Sequence, residues 1–285
     1  MTTKSALFKQ FENYSKESLN QQFKPKINDN IRIMSFNVHF WKNYKNNYTK
    51  NDILKVIENS DADIIGLQEA TFFGNSFSEK NKFINDIELL GYKYYKMCND
   101  RYGLNILLSK NKIIDYQIIK LVRRSQFLVK SRDEQRYALI CKIQLSEDEI
   151  INIVLTHLDV HDETEITRLE QIKQILSVMP SKSIIIGDFN SLRKKDYVAD
   201  RWNQIVSNNK ERGLDTMTLV TDIIESNNFF DSFDICFKKC DVSVWSMRRV
   251  DYIYISQDFP YTIRDSNVLA TESSDHYPIY IDIIS

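Results

Sequence analysis

The stretch Ser183-Ile-Ile-Ile-Gly-Asp188-Phe-Asn190 places a β-branched run directly before two polar side chains. Three consecutive isoleucines followed by a glycine are typical of a buried strand. Asp188 and Asn190 then fall at the carboxyl end of that strand, where a rigid scaffold presents functional groups. The stretch therefore predicts both a sheet-based fold and a candidate site at one edge of a sheet.

Similar apolar runs predict strands along most of the chain. The predicted strands are 31–37, 63–67, 104–109, 137–143, 151–156, 183–187, 251–255 and 279–284. Helical spacing of apolar residues occurs at 52–59, 79–90 and 164–178. Several strands lie too close in sequence to be joined by helical crossovers, which favours mixed or antiparallel sheets flanked by helices.

The composition predicts one large domain after a short extension. Only six glycines and four prolines occur in 285 residues, and no segment resembles a flexible linker. Residues 31–285 are therefore expected to form a single domain. In the polar segment 1–30, Leu7, Phe8, Phe11 and Tyr14 follow helical spacing, which predicts a helix packed on the body.

Charge and cysteine content restrict the class of partner. With 38 basic and 39 acidic residues the net charge is −1, which argues against a protein that coats nucleic acid non-specifically. The four cysteines form no CxxC pair, and residues 1–10 contain no apolar signal segment. We expect a monomer with reduced thiols in the cytoplasm or nucleus, not secreted and without a membrane anchor.

Polar residues interrupt or end the predicted strands at six further positions. They are Asn37, Glu69, His157, Asp251, Asp275 and His276. Each alone has a structural explanation, since asparagine and aspartate favour turns and a lone histidine is usually a hydrogen-bonded core residue. Asp251 is harder to explain, because a carboxylate in a buried strand is costly without a partner. The carboxylates among them provide the oxygen ligands that Mg²⁺ prefers, with Glu69 as the main candidate ligand, and the histidines remain for proton transfer and charge stabilisation.

Six short motifs occur in a fixed order between residues 31 and 276. They are Ser35-Phe-Asn37, Gly66-Leu-Gln-Glu69, Thr156-His157-Leu, Ile186-Gly-Asp188-Phe-Asn190, Arg249-Val-Asp251-Tyr-Ile and Ser274-Asp275-His276. This series resembles that of the endonuclease/exonuclease/phosphatase superfamily, which has the DNase I-like fold. The resemblance implies a four-layered α/β sandwich, in which two mixed β-sheets pack face to face with helices outside.

The resemblance also implies a role for each motif residue. Glu69, Asn37 and Asp275 would hold Mg²⁺, or Mn²⁺ in its place. His157, Asp188, Asn190, Asp251 and His276 would be catalytic: Asp251 orients His276, and His157 and Asn190 contact the phosphoryl group. The sequence leaves open whether Asp188 or His276 takes the proton of the attacking water.

The motif details are nearest in style to tyrosyl-DNA phosphodiesterases and deadenylase-like members. Thr156-His157-Leu replaces the Asn-Tyr pattern usual in apurinic endonucleases, which makes that activity less expected. His39 stands where those enzymes and tyrosyl-DNA phosphodiesterases usually have an aspartate, so a second metal contact from this strand is in doubt. Asn105, Trp245 and Arg249 are predicted to bind substrate. Asn105 could instead lie on the wet face of a strand, and Trp245 could pack in the core.

Three functions fit these patterns. The favoured one is a Mg²⁺-dependent phosphodiesterase acting on nucleic acid, as a nuclease or end-processing enzyme. The basic and aromatic residues Arg193, Trp245, Arg248 and Arg249 motivate it, since such residues hold nucleic-acid backbones and bases. The alternatives are a phosphatase or phosphodiesterase for a small molecule or lipid headgroup, and a non-catalytic binding module on the same fold.

Overall fold

The apolar runs form twelve strands in the part of the chain that the structure covers. The computed structural model describes residues 4–18, 23–27, 29–72, 76–98, 104–123, 134–240 and 242–284. The strands are β1 (Ile31–Asn37), β2 (Ile64–Gln68), β3 (Tyr94–Met97), β4 (Ile106–Ser109), β5 (Lys112–Lys120), β6 (Tyr137–Gln144), β7 (Ile150–His157), β8 (Ser183–Asp188), β9 (Phe229–Asp231), β10 (Asp251–Ser256), β11 (Thr262–Val268) and β12 (Ile279–Ile284). The helices are α1 (Lys4–Ser18), α2 (Lys50–Ser60), α3 (Ser76–Leu89), α4 (Ile166–Ser177), α5 (Ala199–Glu211), α6 (Leu219–Ser226) and α7 (Ser232–Ile235).

The strands make two six-stranded sheets. The first has the order β11-β12-β1-β2-β4-β3, and the second has the order β5-β6-β7-β8-β10-β9. In the first sheet β1 and β2 are parallel, in the second β7 and β8 are parallel, and the other described pairs are antiparallel. The predicted mixed sheets are confirmed.

The sheets pack face to face through aliphatic side chains. Ile33 and Ile64 of the first sheet meet Leu155 and Ile186 of the second in one fully buried cluster. At Gly66 the sheets approach so closely that a Cβ would lie 2.7 Å from both Ile186 and Leu155. A larger side chain at this position of the second motif would therefore have to displace the ends of these two side chains between the sheets.

Helices cover the outer face of each sheet. Ile53 and Ile57 of α2 and Phe83 of α3 pack on the first sheet. Ile172 of α4 and Ile224 of α6 pack on the second. The result is the four-layered α/β sandwich that the motif series implied.

The strand directions bring the polar strand ends to one edge. Because β1 and β2 are parallel, their carboxyl ends meet, and antiparallel β12 begins at the same edge. In the second sheet β7 and β8 end where antiparallel β10 begins. The two edges coincide, since the Asn37 side-chain amide donates to the Asp188 carboxylate across the sheets at 3.0 Å.

The N-terminal helix packs behind this edge. Phe11 of α1 is fully buried and stacks on Tyr277, with ring centroids 4.5 Å apart and planes 8° apart. The Tyr277 hydroxyl donates to the Phe11 carbonyl at 3.2 Å. Residues 1–3, 19–22 and 28 of the predicted extension lie outside the described residues. No helix in the described part of the chain is long and apolar enough to cross a membrane.

Four strands and three helices were not predicted. The missed strands β3, β5, β9 and β11 are short or lie at or next to a sheet edge. Most side chains of β5 are exposed, and its sequence, KIIDYQIIK, lacks the alternation of a half-buried strand. The missed helices α5, α6 and α7 follow one another within residues 199–235, where no helical pattern was recognised.

Candidate active site

The first sheet places three segments at the shared edge. Asn37 is the last residue of β1, and Glu69 directly follows β2 with a left-handed φ of 55°. Asp275 and His276 lie in the segment before β12. The Ser274 hydroxyl donates to the Asn37 carbonyl at 2.7 Å, which fixes that segment against the end of β1.

The second sheet supplies the opposite side of the site. His157 and Asp188 end the parallel strands β7 and β8 side by side, and Asp251 pairs with Asp188 in the antiparallel register. Gly187 has φ 152°, and a Cβ there would lie 2.0 Å from the Thr156 carbonyl oxygen. Glycine is thus required before Asp188 for β8 to lie against β7.

His276 is held by carboxylates. Its Nδ1 lies 2.9 Å from Asp251 Oδ2, which also accepts a 2.6 Å hydrogen bond from the Ser243 hydroxyl. Its Nε2 lies 3.8 Å from Asp188 Oδ2 and 3.9 Å from Asp275 Oδ1. Burial lowers the pKa of His276, but the surrounding carboxylates, Asp251 foremost, outweigh it and hold the pKa well above its usual value.

His157 is held by a cation. Its Nδ1 lies 3.0 Å from Nη1 of the buried Arg136. Because an arginine only donates, Nδ1 must accept and Nε2 must carry the proton. Burial, reinforced by the Arg136 charge, lowers the pKa of His157 well below its usual value. A neutral His157 thus directs an N–H toward Asp188 Oδ2 (3.6 Å) and Glu69 Oε1 (3.8 Å).

Asp188 lies between the two histidines. Its Oδ1 accepts from the Asn190 backbone N–H at 2.9 Å, and the Asn190 side chain donates to the Leu158 carbonyl at 3.1 Å. Burial and the neighbouring Asp251 carboxylate raise the pKa of Asp188 to about 7. Its carboxylate is therefore poised to exchange a proton near neutral pH.

Two carboxylate oxygens in the site have no hydrogen-bond partner among the described residues. They are Glu69 Oε2 and Asp275 Oδ1, both buried. Burial and the Asp275 charge raise the pKa of Glu69, so a cation between these carboxylates would relieve their repulsion. Atoms of Asp188, Asp251 and His276 also lie within 4.8 Å of one another, but both carboxylates there already accept hydrogen bonds. The residues present fit a hard cation best on the side of Glu69 and Asp275.

The sequence as a whole matches one protein family. The model of the Endonuclease/Exonuclease/phosphatase family matches residues 34–276, which include all six motifs. The chain belongs to the endonuclease/exonuclease/phosphatase family. It is accordingly a phosphoric ester hydrolase, and the predicted family and enzyme class are confirmed. No curated protein matches the chain significantly.

Solved structures share the family fold at low sequence identity. An endonuclease/exonuclease/phosphatase from Beutenbergia cavernae DSM 12333 superposes with a TM-score of 0.68 at 14% identity, covering 90% of this chain and 72% of its own. D. rerio TDP2, complexed with single-strand DNA product, gives 0.61 at 16% identity, covering 90% and 100%. The human Nocturnin catalytic domain, with a bound sulfate anion, gives 0.61 at 17% identity, covering 93% and 97%. These similarities confirm the DNase I-like fold.

The three predicted substrate contacts differ in position. Asn105 is buried and directly precedes β4, next to the end of β2 that Glu69 follows. Its side-chain Nδ2 donates a hydrogen bond to the Tyr137 carbonyl at 3.2 Å. Its Oδ1 has no hydrogen-bond partner among the described residues. The wet-face alternative for Asn105 is wrong. Trp245 is half-buried against Phe8 of α1, and its backbone N–H donates to the Asp275 carbonyl at 2.7 Å.

The prediction for Arg249 is wrong. Its side chain is fully buried, pairs with Asp231 at 2.6 Å and Asp196 at 3.1 Å, and lies over the Phe233 ring. Arg193 is likewise buried and paired, with Asp196, Glu225 and Asp234. Both arginines stabilise the core beside the site and are not available to a substrate, although they had motivated the nucleic-acid hypothesis.

Three further residues that contact the site were not predicted as contributors to it. Arg136 orients His157, and Ser243 binds Asp251. His39 lies 3.6 Å from Asp275 Oδ1, and its backbone N–H donates to Asn37 Oδ1 at 3.0 Å. Arg136 and Ser243 had no local signal, whereas the position of His39, two residues after Asn37, had already marked it as unusual.

Proposed function

We propose that this protein is a Mg²⁺-dependent phosphodiesterase acting on nucleic acid, as a nuclease or end-processing enzyme. The observation that carries the proposal is the meeting of both histidines with Asp188 at the shared edge. His157 Nε2 and His276 Nε2 lie 3.6 and 3.8 Å from Asp188 Oδ2. That the family neighbour from D. rerio was solved with a DNA product supports the substrate class.

The unpartnered oxygens of Glu69 and Asp275 support a cation site on that side. Glu69 and Asp275, with Asn37 beside them, would hold Mg²⁺, whose charge offsets the negative charge on the phosphate oxygens. Asn37 also donates to Asp188 at 3.0 Å and to Glu69 at 3.4 Å. It thereby fixes the carboxylates of both sheets relative to each other.

The protein's own groups account for the remaining steps. His157 donates a hydrogen bond from its Nε2–H to a phosphate oxygen as negative charge builds there, and Arg136 keeps it in that tautomer. Asp188 is the group positioned to take the proton of the attacking water, because His276 is held protonated and would instead stabilise the charge on the phosphate. Asp251 keeps the His276 ring oriented, and Asn190 holds Asp188 through its backbone N–H while its side chain contacts the phosphoryl group.

A substrate panel tests this function. Purified protein with Mg²⁺ would be assayed against bis-p-nitrophenyl phosphate, p-nitrophenyl phosphate, single- and double-stranded DNA, RNA, a 5′-phosphotyrosyl oligonucleotide and sphingomyelin. We expect hydrolysis of phosphodiesters, highest on a nucleic-acid substrate and abolished by EDTA. Hydrolysis of monoesters alone, or a rate unaffected by EDTA, would contradict the proposal.

The active-site variant for this panel is Glu69→Gln, and its control is Glu88→Gln. Both replace a carboxylate by an amide of the same size, but Glu88 is exposed on α3. Losing the carboxylate that holds the cation should cost several kcal/mol of transition-state stabilisation, or about 10³-fold in rate. The control should retain the wild-type rate.

A further inference from the structure

A cavity opens beside Asn190, and Glu69 is not part of its lining. Its volume is about 350 Å³, within the range of small-ligand sites. It is enclosed by the segment 160–168, the carboxyl end of α5 and the segment 214–217. Arg168, Arg212, Arg248 and Ser191 line it together with Asn190. The cavity and the proposed active site therefore share the residue that binds Asp188.

Arg168 is the unusual residue in this lining. Its side chain is only 8% exposed, and its Nη1 donates to the Asp159 carbonyl at 3.1 Å. Its Nε is buried without a hydrogen-bond partner among the described residues, and no carboxylate there lies within ion-pair distance of the guanidinium. The fully buried Arg249 has two carboxylate partners. Glu165, Asp162 and Asp159 offset part of this charge from beyond ion-pair distance, which leaves the guanidinium itself open to an anion from outside the chain.

The other groups around the cavity agree with an anionic ligand. Arg248 donates to Asn209 Oδ1 at 2.7 Å and has no carboxylate partner in the described part of the chain, and Arg212 is exposed at the rim. The buried Ser191 hydroxyl has no partner among the described residues. The cavity thus offers several hydrogen-bond donors that are not already paired with acids.

The carboxylates that line the cavity either accept hydrogen bonds from the protein or are exposed to solvent. Asp162 accepts hydrogen bonds from the backbone N–H groups of Thr164 and Thr167. Glu165 accepts from the Leu219 N–H at 2.8 Å, and burial raises its pKa to about 7. Glu163 and Asp215 are exposed. The two buried carboxylates of the lining thus already accept hydrogen bonds, and the other two are exposed to solvent.

We propose that this cavity binds a second phosphate group of the substrate, with Arg168 as its main contact and Arg248 and Arg212 as supporting contacts. The inference rests on the proposed function, because Asn190 places the cavity next to the reacting phosphate. The second phosphate belongs to the next linkage of a nucleic-acid strand or to a small bisphosphate. Both present the same oxygen atoms, which arginine binds in bidentate fashion.

The kinetic test compares substrates that differ by one phosphate. The dinucleotide TpT has one phosphodiester, and the trinucleotide TpTpT has two. Loss of a hydrogen-bonded charge pair should raise KM for TpTpT by about 10- to 100-fold in Arg168→Gln. The same variant should change KM for TpT and bis-p-nitrophenyl phosphate less than about twofold. An equal loss on all three substrates, or no loss on any, would overturn the proposal.

Two further variants control for general effects. Arg201→Gln removes an arginine of α5 that is not in the cavity lining and donates to the Met247 carbonyl at 2.7 Å. It should leave the TpTpT to TpT ratio of KM values unchanged. If Arg168→Gln fails to fold, the half-buried Arg248→Gln takes its place, with an expected rise of about 3- to 10-fold in KM for TpTpT alone. An unchanged ratio in Arg248→Gln would then overturn the proposal.

A binding measurement separates this inference from the proposed function. Calorimetry in EDTA would compare thymidine 3′,5′-bisphosphate with thymidine 5′-monophosphate, and TpTpT with TpT. A second phosphate that tightens binding in the wild type but not in Arg168→Gln supports the cavity even if the protein hydrolyses none of these compounds. An advantage confined to TpTpT identifies a strand, and one confined to the bisphosphate identifies a small molecule. No advantage in either pair overturns the proposal.

Discussion

The two histidines of the site lie at the ends of different sheets and are held in opposite ways. His157 ends β7, and its Nδ1 contacts the guanidinium of Arg136. His276 precedes β12, and its Nδ1 contacts the carboxylate of Asp251. The first is thereby kept neutral with its proton on Nε2, and the second is kept protonated. The same residue type thus becomes a neutral donor in one position and a cation in the other, and its buried neighbour decides which.

The largest effect should come from removing the anion behind His276. In Asp251→Asn the ring loses the carboxylate that orients it, and we expect kcat to fall by about 10²- to 10⁴-fold. Stabilisation by Mg²⁺ in a thermal shift assay should persist, because Glu69 and Asp275 are unchanged. The control is Asp200→Asn, an exposed carboxylate in the first turn of α5. A near-normal rate in Asp251→Asn would show that orientation of His276 contributes little.

A smaller effect should come from removing the cation behind His157. In Arg136→Met the Nδ1 atom loses its donor, so the tautomer with the proton on Nδ1 becomes accessible. We expect kcat to fall about tenfold, as for the loss of one oriented hydrogen bond. Ring ¹⁵N chemical shifts should show the changed tautomer of His157 and an unchanged His276. If the tautomer changes and the rate does not, His157 is not a donor to the phosphate.

The smallest perturbation is a pH titration of the metal-free wild-type protein by NMR. His157 should stay neutral well below pH 6.5, and His276 should stay protonated well above it. A histidine whose pKa rises on folding stabilises the fold fully below its unfolded pKa, and this contribution is lost as the pH passes the folded pKa. His276 should therefore stabilise the protein at neutral pH and cease to do so in alkali. Similar pKa values for both rings would contradict the opposite protonation states inferred for His157 and His276.

The sequence predicted the strands that carry the site, because those strands are buried on both faces and consist of β-branched runs. All six residues of β8 and all six of β10 are buried. Edge strands such as β11 were missed because their solvated residues need not be apolar. The strand ends could be predicted as a site because each motif is local.

Contacts between separate elements could not be predicted in this way. Arg136 directly precedes β6 and reaches His157 at the end of the neighbouring strand β7, which no spacing reveals. The pair Arg248-Arg249 shows the same limit within two residues. Adjacent side chains of an extended segment point in opposite directions, so Arg249 enters the core while Arg248 lines the cavity. A basic cluster in the sequence thus says nothing about which of its members meets solvent.

We infer that the unpartnered oxygens of Glu69 and Asp275 mark the cation site and that the hydrogen-bonded carboxylates beyond them serve proton transfer. Anomalous scattering from a crystal soaked in Mn²⁺ is the sharpest test of this inference. We expect a peak in direct contact with Glu69 and Asp275, with the hydrogen bond between Asp251 and His276 intact. A peak enclosed by Asp188, Asp251 and His276 instead, with that hydrogen bond broken, would contradict it.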